Sequence, residues 1–203
     1  MLKKIWLSTC LDNFVNEYDD IEAMFRQGLS RLILNKKGDP ERWLLSLSME
    51  YREKIWLRGS PDAALNLDLR GCVADSYVFT QSAVSESWKR LSCIAFCRTL
   101  DELDNLPAWL GGALVGPVFP SLSAVPGAGM DKSLCFDKLS IKLQDYSAQK
   151  DSVPLILWGG IDKDVLEKLS DLPISGVSLL GGVWNYADPV NAFIKFKRTF
   201  NHY

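Results

Sequence analysis

Eight short apolar runs, at residues 4–8, 31–35, 54–58, 71–75, 92–97, 112–119, 155–160 and 176–182, constrain this chain more than any other feature. Each is mostly apolar, and most close on a polar residue or Gly, without the every-second-residue alternation of a strand that keeps one face in water. A strand patterned this way is buried on both faces, which is the habit of parallel sheets covered by helices. Segments with helical spacing separate the runs, at 18–27, 39–51, 82–91, 101–108, 162–169 and 189–200. Three of them open on a capping signal: Asp39-Pro40, Asp188-Pro189, and Asp162 directly after Gly159-Gly160-Ile161. An Asp side chain satisfies a free N–H of the first turn, and Pro fits there because it has no N–H to lose. Strand and helix in alternation predict a compact (β/α)8 TIM barrel forming one domain over 1–203, with a doubly wound open sheet as the competing architecture. The stretch 60–70 is too short for a full crossover helix, so the third helix should be short or missing.

Composition narrows the partners. Lys and Arg total 23 against 25 Asp and Glu, a net charge of -2 with no basic block, so the footprint of a nucleic-acid binder is lacking. The five cysteines, Cys10, Cys72, Cys93, Cys97 and Cys135, fall at irregular spacing, and the single histidine is His202. Neither a disulfide framework nor a zinc set is expected, and a reducing, cytoplasmic compartment is. No run approaches the roughly 18 apolar residues of a membrane span, and the apolar stretch 5–7 is too short for a signal peptide.

In a barrel the strand ends and the loops after them form the active face, and phosphate commonly binds after the seventh and eighth strands. Gly159-Gly160 and Gly181-Gly182 fall at those two positions. Glycines there let backbone N–H groups approach phosphate oxygens closely, the plainer alternative being that they turn the chain. The other strand ends carry Ser8, Asn35 with Lys36 and Lys37, Arg58, Asp75, and Cys97 with Arg98. Cations dominate, which suits an anionic ligand, although part of this set is expected to point into solvent. The catalytic candidates are Lys37, Arg58, Asp75, Cys97 and Arg98; no histidine is at hand to activate Cys97, and Trp158 reads as barrel packing. A long connection, 117–132, is rich in Gly, Pro and Ser and reads as a flap over the ligand. Its Ser121 and Ser123 complete the phosphate-binding set of Gly159, Gly160, Gly181 and Gly182.

These motifs resemble the family of thiamine-phosphate synthase and its TenI-like thiazole tautomerase relatives. The likeness rests on Gly116-Pro117-Val118-Phe119-Pro120-Ser121-Leu122-Ser123, similar to GPVFPT-x-[ST]-K, and on Trp158-Gly159-Gly160-Ile161, similar to A-x-GGI. Gly181-Gly182 followed by Asp188-Pro189 fits the family's last strand and helix, and Cys97-Arg98-Thr99-Leu100-Asp101-Glu102 falls where S-x-H-x-x-E-E is found. The resemblance implies a (β/α)8 barrel. It also exposes departures. Where a synthase holds pyrophosphate with Q-x-R-x-K, this chain keeps only Lys37 of 33–37, and the Asn-Asp that follows strand three is Arg58-Gly59. The second metal-binding Asp, in H-L-G-Q-x-D, is Val78, leaving Asp75 nearby but out of register. The signature lysine is Ala124, and the tautomerase histidine is Arg98.

The expected function is therefore a thiamine-biosynthesis role, binding a thiazole phosphate or thiamine phosphate after strands seven and eight. Its enzymatic form would be proton transfer on the thiazole. Two alternatives stand beside it: a catalytically degenerate barrel that binds a thiamine intermediate or a partner enzyme, and a barrel acting on another small phosphorylated metabolite. No cofactor follows from the residues themselves; Mg2+ follows only from the resemblance, and its Asp ligands are not matched. The expected partner is a small phosphorylated thiazole or thiamine intermediate, with no nucleic acid and no membrane, and with a homodimer left open.

Overall fold

The computed structural model describes residues 3–81, 84–120 and 135–202. Its strands are β1 (Lys4–Ser8), β2 (Arg31–Leu34), β3 (Ile55–Arg58), β4 (Gly71–Asp75), β5 (Ser92–Cys97), β6 (Gly112–Val115), β7 (Leu155–Trp158) and β8 (Gly176–Leu179). Each pairs in parallel with the next, and β8 returns to β1, closing the barrel. The helices are α1 (Glu17–Arg26), α2 (Pro40–Leu44), α3 (Pro61–Asn66), α4 (Tyr77–Thr80), α5 (Phe136–Ser147), α6 (Leu166–Leu169), α7 (Gly181–Trp184) and α8 (Pro189–Phe200). The expected (β/α)8 architecture is the one observed, and α3 is short, at six residues.

Alternation along each strand divides the core in two. Trp6, Ile33, Trp56, Val73, Ile94, Leu114 and Ile156 fill the barrel interior. Their strand neighbours, among them Leu7, Leu34, Leu57 and Cys97, pack outward beneath the helices. Within the barrel, Trp6 and Trp56 meet edge to face at 5.1 Å, and the Trp56 indole donates to the Ser92 carbonyl at 2.8 Å. A Cβ at Gly71 would collide with that indole and that carbonyl, so the glycine is required by Trp56.

The capping signals work as read. Asp39 accepts from the Glu41 N–H, Asp188 from Asn191 and Asp162 from Asp164. Several helices are nonetheless shorter than their sequence spacing predicts. The segment 39–51 breaks after Leu44 because Ser48 is pulled away: its N–H and hydroxyl both donate to Glu22, at 2.9 and 2.6 Å. The segment 101–108 is a 3-10 turn over Asp101–Asn105, because the Glu102 carboxylate bonds backward to the loop after β5 and Pro107 stops the chain. In 82–91 only Glu86–Arg90 forms a 3-10 turn; residues 82–83 lie outside the described part. Between that connection and β7 lies a helix absent from the segments expected to be helical, α5, whose Leu139, Leu143 and Tyr146 are buried at helical spacing. Among the described residues no helix is long and apolar enough to cross a membrane.

Candidate functional site

The C-terminal ends of the strands surround a cavity of about 180 Å³. Gly159 and Gly160 follow β7, Gly181 and Gly182 open α7 directly after β8, and all four line it, together with Ser8, Asn35, Arg58, Phe96, Trp158 and Ser178. The glycines have packing reasons of their own. Gly160, at φ +63, lies so close to Phe119 and Pro120 that any side chain would clash, and a Cβ at Gly182 would strike the Ile161 carbonyl. The result of that close packing is a wall of backbone. The N–H groups of Gly160, Gly181 and Gly182 donate to no partner among the described residues. Backbone N–H groups without an acceptor, on glycines that line a cavity, are what an oxyanion needs.

Opposite this wall stands a cationic cluster. Asp75 Oδ1 accepts from Arg58 Nη2 at 2.7 Å and from Arg98 Nη1 at 3.0 Å. Arg58 also donates to the Val73 carbonyl at 3.2 Å. Both guanidinium groups lie over the Phe96 ring, at 4.5 and 4.8 Å, and Phe96 stacks on Trp158 at 4.6 Å between centroids. Two cations against one carboxylate leave a surplus positive charge at the mouth. Glu102 fixes the loop that carries Arg98: it accepts from the Arg98 and Thr99 N–H groups at 3.2 and 3.1 Å and from the Ser76 hydroxyl.

Of the five catalytic candidates, the fold brings Arg58, Asp75 and Arg98 together and leaves two elsewhere. Lys37 points into solvent, where its ammonium pairs with Asp12 at 2.9 Å, and it does not line the cavity. Cys97 faces outward into the core beneath the helices. Burial, helped by the Glu102 charge, pushes its thiol up to about 12, so it remains a neutral thiol turned away from the mouth. Ser121 and Ser123, with most of the expected flap 117–132, lie outside the described residues. Phe96 and Ser178 are not among the sequence-level candidates, and Glu102 enters there only as part of the segment resembling S-x-H-x-x-E-E. Ser178 is a polar residue inside an apolar run and Glu102 a carboxylate four residues past Arg98, and both patterns were available in the sequence.

The adjacent Lys36 behaves differently from Lys37. Its ammonium is 2.5 Å from the Glu17 carboxylate, and the two side chains are 2% and 0% exposed. Burial raises the Glu17 pKa, and the Lys36 charge opposes that rise. The pair pins the loop after β1 to the loop after β2.

Magnesium does not fit this donor set. The positions matching the family's two metal-binding aspartates hold Gly59 and Val78, Asp75 is occupied by two guanidinium groups, and the described residues contain no cluster of three acidic, histidine or cysteine ligands.

No family model matches the chain, and no curated protein does. Among solved structures it is similar to thiamine phosphate pyrophosphorylase from Bacteroides thetaiotaomicron, with a TM-score of 0.72 and 19% identity, covering 98% of each chain. Thiamine phosphate pyrophosphorylase from Pyrococcus furiosus gives 0.70 and 19%, covering 98% of this chain and 96% of that one. Phosphoribosylanthranilate isomerase from Thermotoga maritima gives 0.63 and 11%, covering 100% of each. At these identities the likeness shows a shared (β/α)8 fold.

Proposed function

We propose, from a fold shared with thiamine phosphate pyrophosphorylases, that this barrel binds a phosphorylated thiazole or thiamine monophosphate at its C-terminal mouth. The observation that carries the reading is the set of N–H groups at Gly160, Gly181 and Gly182 that have no acceptor among the described residues and belong to glycines lining the same cavity as Arg58. The phosphate would take its hydrogen bonds from that backbone, and the surplus cation of the Arg58–Asp75–Arg98 cluster would balance its charge. The planar ring would lie toward the Phe96–Trp158 stack. Asp75 acts as the brace that holds Arg58 in place.

Binding without pyrophosphate chemistry is the favoured form, because the mouth offers cations where a synthase needs carboxylates for a metal. Thermal melting with thiazole phosphate, thiamine phosphate and pyrophosphate, each with and without Mg2+, tests this. A true ligand at 100 times its dissociation constant raises the midpoint by about 5 to 11 °C. Such a shift is expected for a thiamine-pathway monophosphate in the absence of metal. No shift with either one overturns the binding reading, and, in a separate turnover assay, Mg2+-stimulated formation of thiamine phosphate and pyrophosphate from pyrimidine pyrophosphate and thiazole phosphate overturns the absence of transfer.

A further inference from the structure

The N-terminal end of the barrel, opposite the mouth, carries an unusual cation. Arg31 opens β2 in register with Trp6, and its guanidinium lies 4.2 Å from the Trp56 ring centre and 5.2 Å from that of Trp6. Stacking occupies the flat face of a guanidinium and leaves its in-plane N–H groups free. Arg31 makes no hydrogen bond or ion pair with any described residue, although it is half-buried. Two further cations stand at the same rim. Lys4 precedes Trp6 by two residues on the same face of β1, and Arg70 precedes Gly71, the register partner of Trp56. Neither has an ion-pair partner among the described residues.

The three act on one another. Burial and the Arg70 charge lower the Arg31 pKa, and the Arg31 charge with burial lowers that of Lys4. No carboxylate of the described residues offsets either effect. A plug for the barrel floor needs only Arg31 on its two tryptophans; it does not need two more cations repelling it.

We propose that Arg31, Lys4 and Arg70 form an anion site at the N-terminal end of the barrel, taking a small oxyanion such as phosphate. The fixed guanidinium edge presents paired donors to two oxygens, and the flanking cations supply charge. The site is separate from the mouth and does not depend on what the mouth binds.

The test uses melting of the full chain in inorganic phosphate against sodium chloride at matched ionic strength. It is run in the wild type and in Gly181→Asp, which places a carboxylate at the mouth. Phosphate at ten times its dissociation constant should raise the midpoint by about 3 to 6 °C in both, where chloride does not. Lys4→Gln with Arg70→Gln should raise the midpoint of the free protein, by relieving repulsion, and weaken phosphate about tenfold or more. In the Gly181→Asp background, Arg31→Met, which keeps an apolar contact on the indoles, should abolish the phosphate response. Equal shifts in phosphate and chloride would mean ionic screening alone and overturn the site. So would a phosphate response that the double substitution leaves undiminished in the Gly181→Asp background, or one lost in Gly181→Asp while that protein remains folded. If Gly181→Asp does not fold, the difference between wild type and double variant decides the matter alone.

Discussion

The C-terminal face holds two clusters of paired charge that differ chiefly in burial. Lys36 and Glu17 are sealed, at 2% and 0% exposure, and satisfy each other. Arg58, Asp75 and Arg98 sit at 19%, 27% and 56%, with two cations sharing one carboxylate oxygen. A sealed, balanced pair has nothing left for a ligand and serves to tie two loops together. An open, unbalanced trio is held in place by its own contacts and keeps charge and donors for something else. Cation–carboxylate contacts thus take opposite roles according to access to solvent and the count of partners.

The largest effect should come from breaking the sealed pair. Glu17→Gln strands the Lys36 ammonium in the core and should cost about 3 to 5 kcal/mol in denaturant unfolding. Adding Lys36→Met should recover most of it. If the single variant loses under about 1 kcal/mol, the pair is not sealed in solution and the contrast with the mouth collapses.

At the mouth the effect should fall on binding instead. Gly181→Asp, at a glycine without a positive φ, should weaken monophosphate binding at least about a hundredfold by charge repulsion while the chain stays folded. Gly160→Asp cannot serve, because the clash with Phe119 and Pro120 would unsettle the fold itself. Unchanged affinity in folded Gly181→Asp, measured by titration calorimetry, would remove the backbone wall as the anion site.

A smaller change sharpens the same comparison. Asp75→Asn removes the only carboxylate braced between Arg58 and Arg98 and should cost under about 1 kcal/mol of stability, because the trio is partly exposed. Monophosphate affinity should rise by a factor of about 3 to 10 at low salt and converge on wild type at high salt. A fall in affinity would mean that bracing Arg58 outweighs the added charge.

The smallest effect concerns a single sealed thiol. The Cys97 pKa is raised in the folded state, so above about pH 9 the unfolded chain loses a proton that the folded one keeps, and stability falls as pH rises toward about 12. The stability gap between wild type and Cys97→Ala should narrow by about 1 kcal/mol between about pH 8.5 and pH 10. A constant gap would place Cys97 in a wetter setting than the core.

Local signals in the sequence carried far at the ends of elements. Asp39, Asp162 and Asp188 cap where their neighbours said they would, and the two glycine pairs do follow β7 and β8. They carried less far in helix lengths, since Ser48 and Glu102 act through partners 26 residues away or folded back on a loop.

The sequence alone determined a set of parallel strands, because eight apolar runs without alternation have no stable home except strands buried on both faces, while closure into a barrel rather than an open sheet was decided by β8 pairing with β1. That same lack of alternation erased the phase of each strand. Whether Phe96 or Cys97 faces the mouth is undecidable when both neighbours are apolar, and register in the closed barrel settles it: Phe96 faces inward and Cys97 outward. Lys36 and Lys37 are equally unreadable, two identical side chains in one loop. Only the fold decided that Glu17, nineteen residues away in sequence, meets the first, while the second is left to solvent and Asp12.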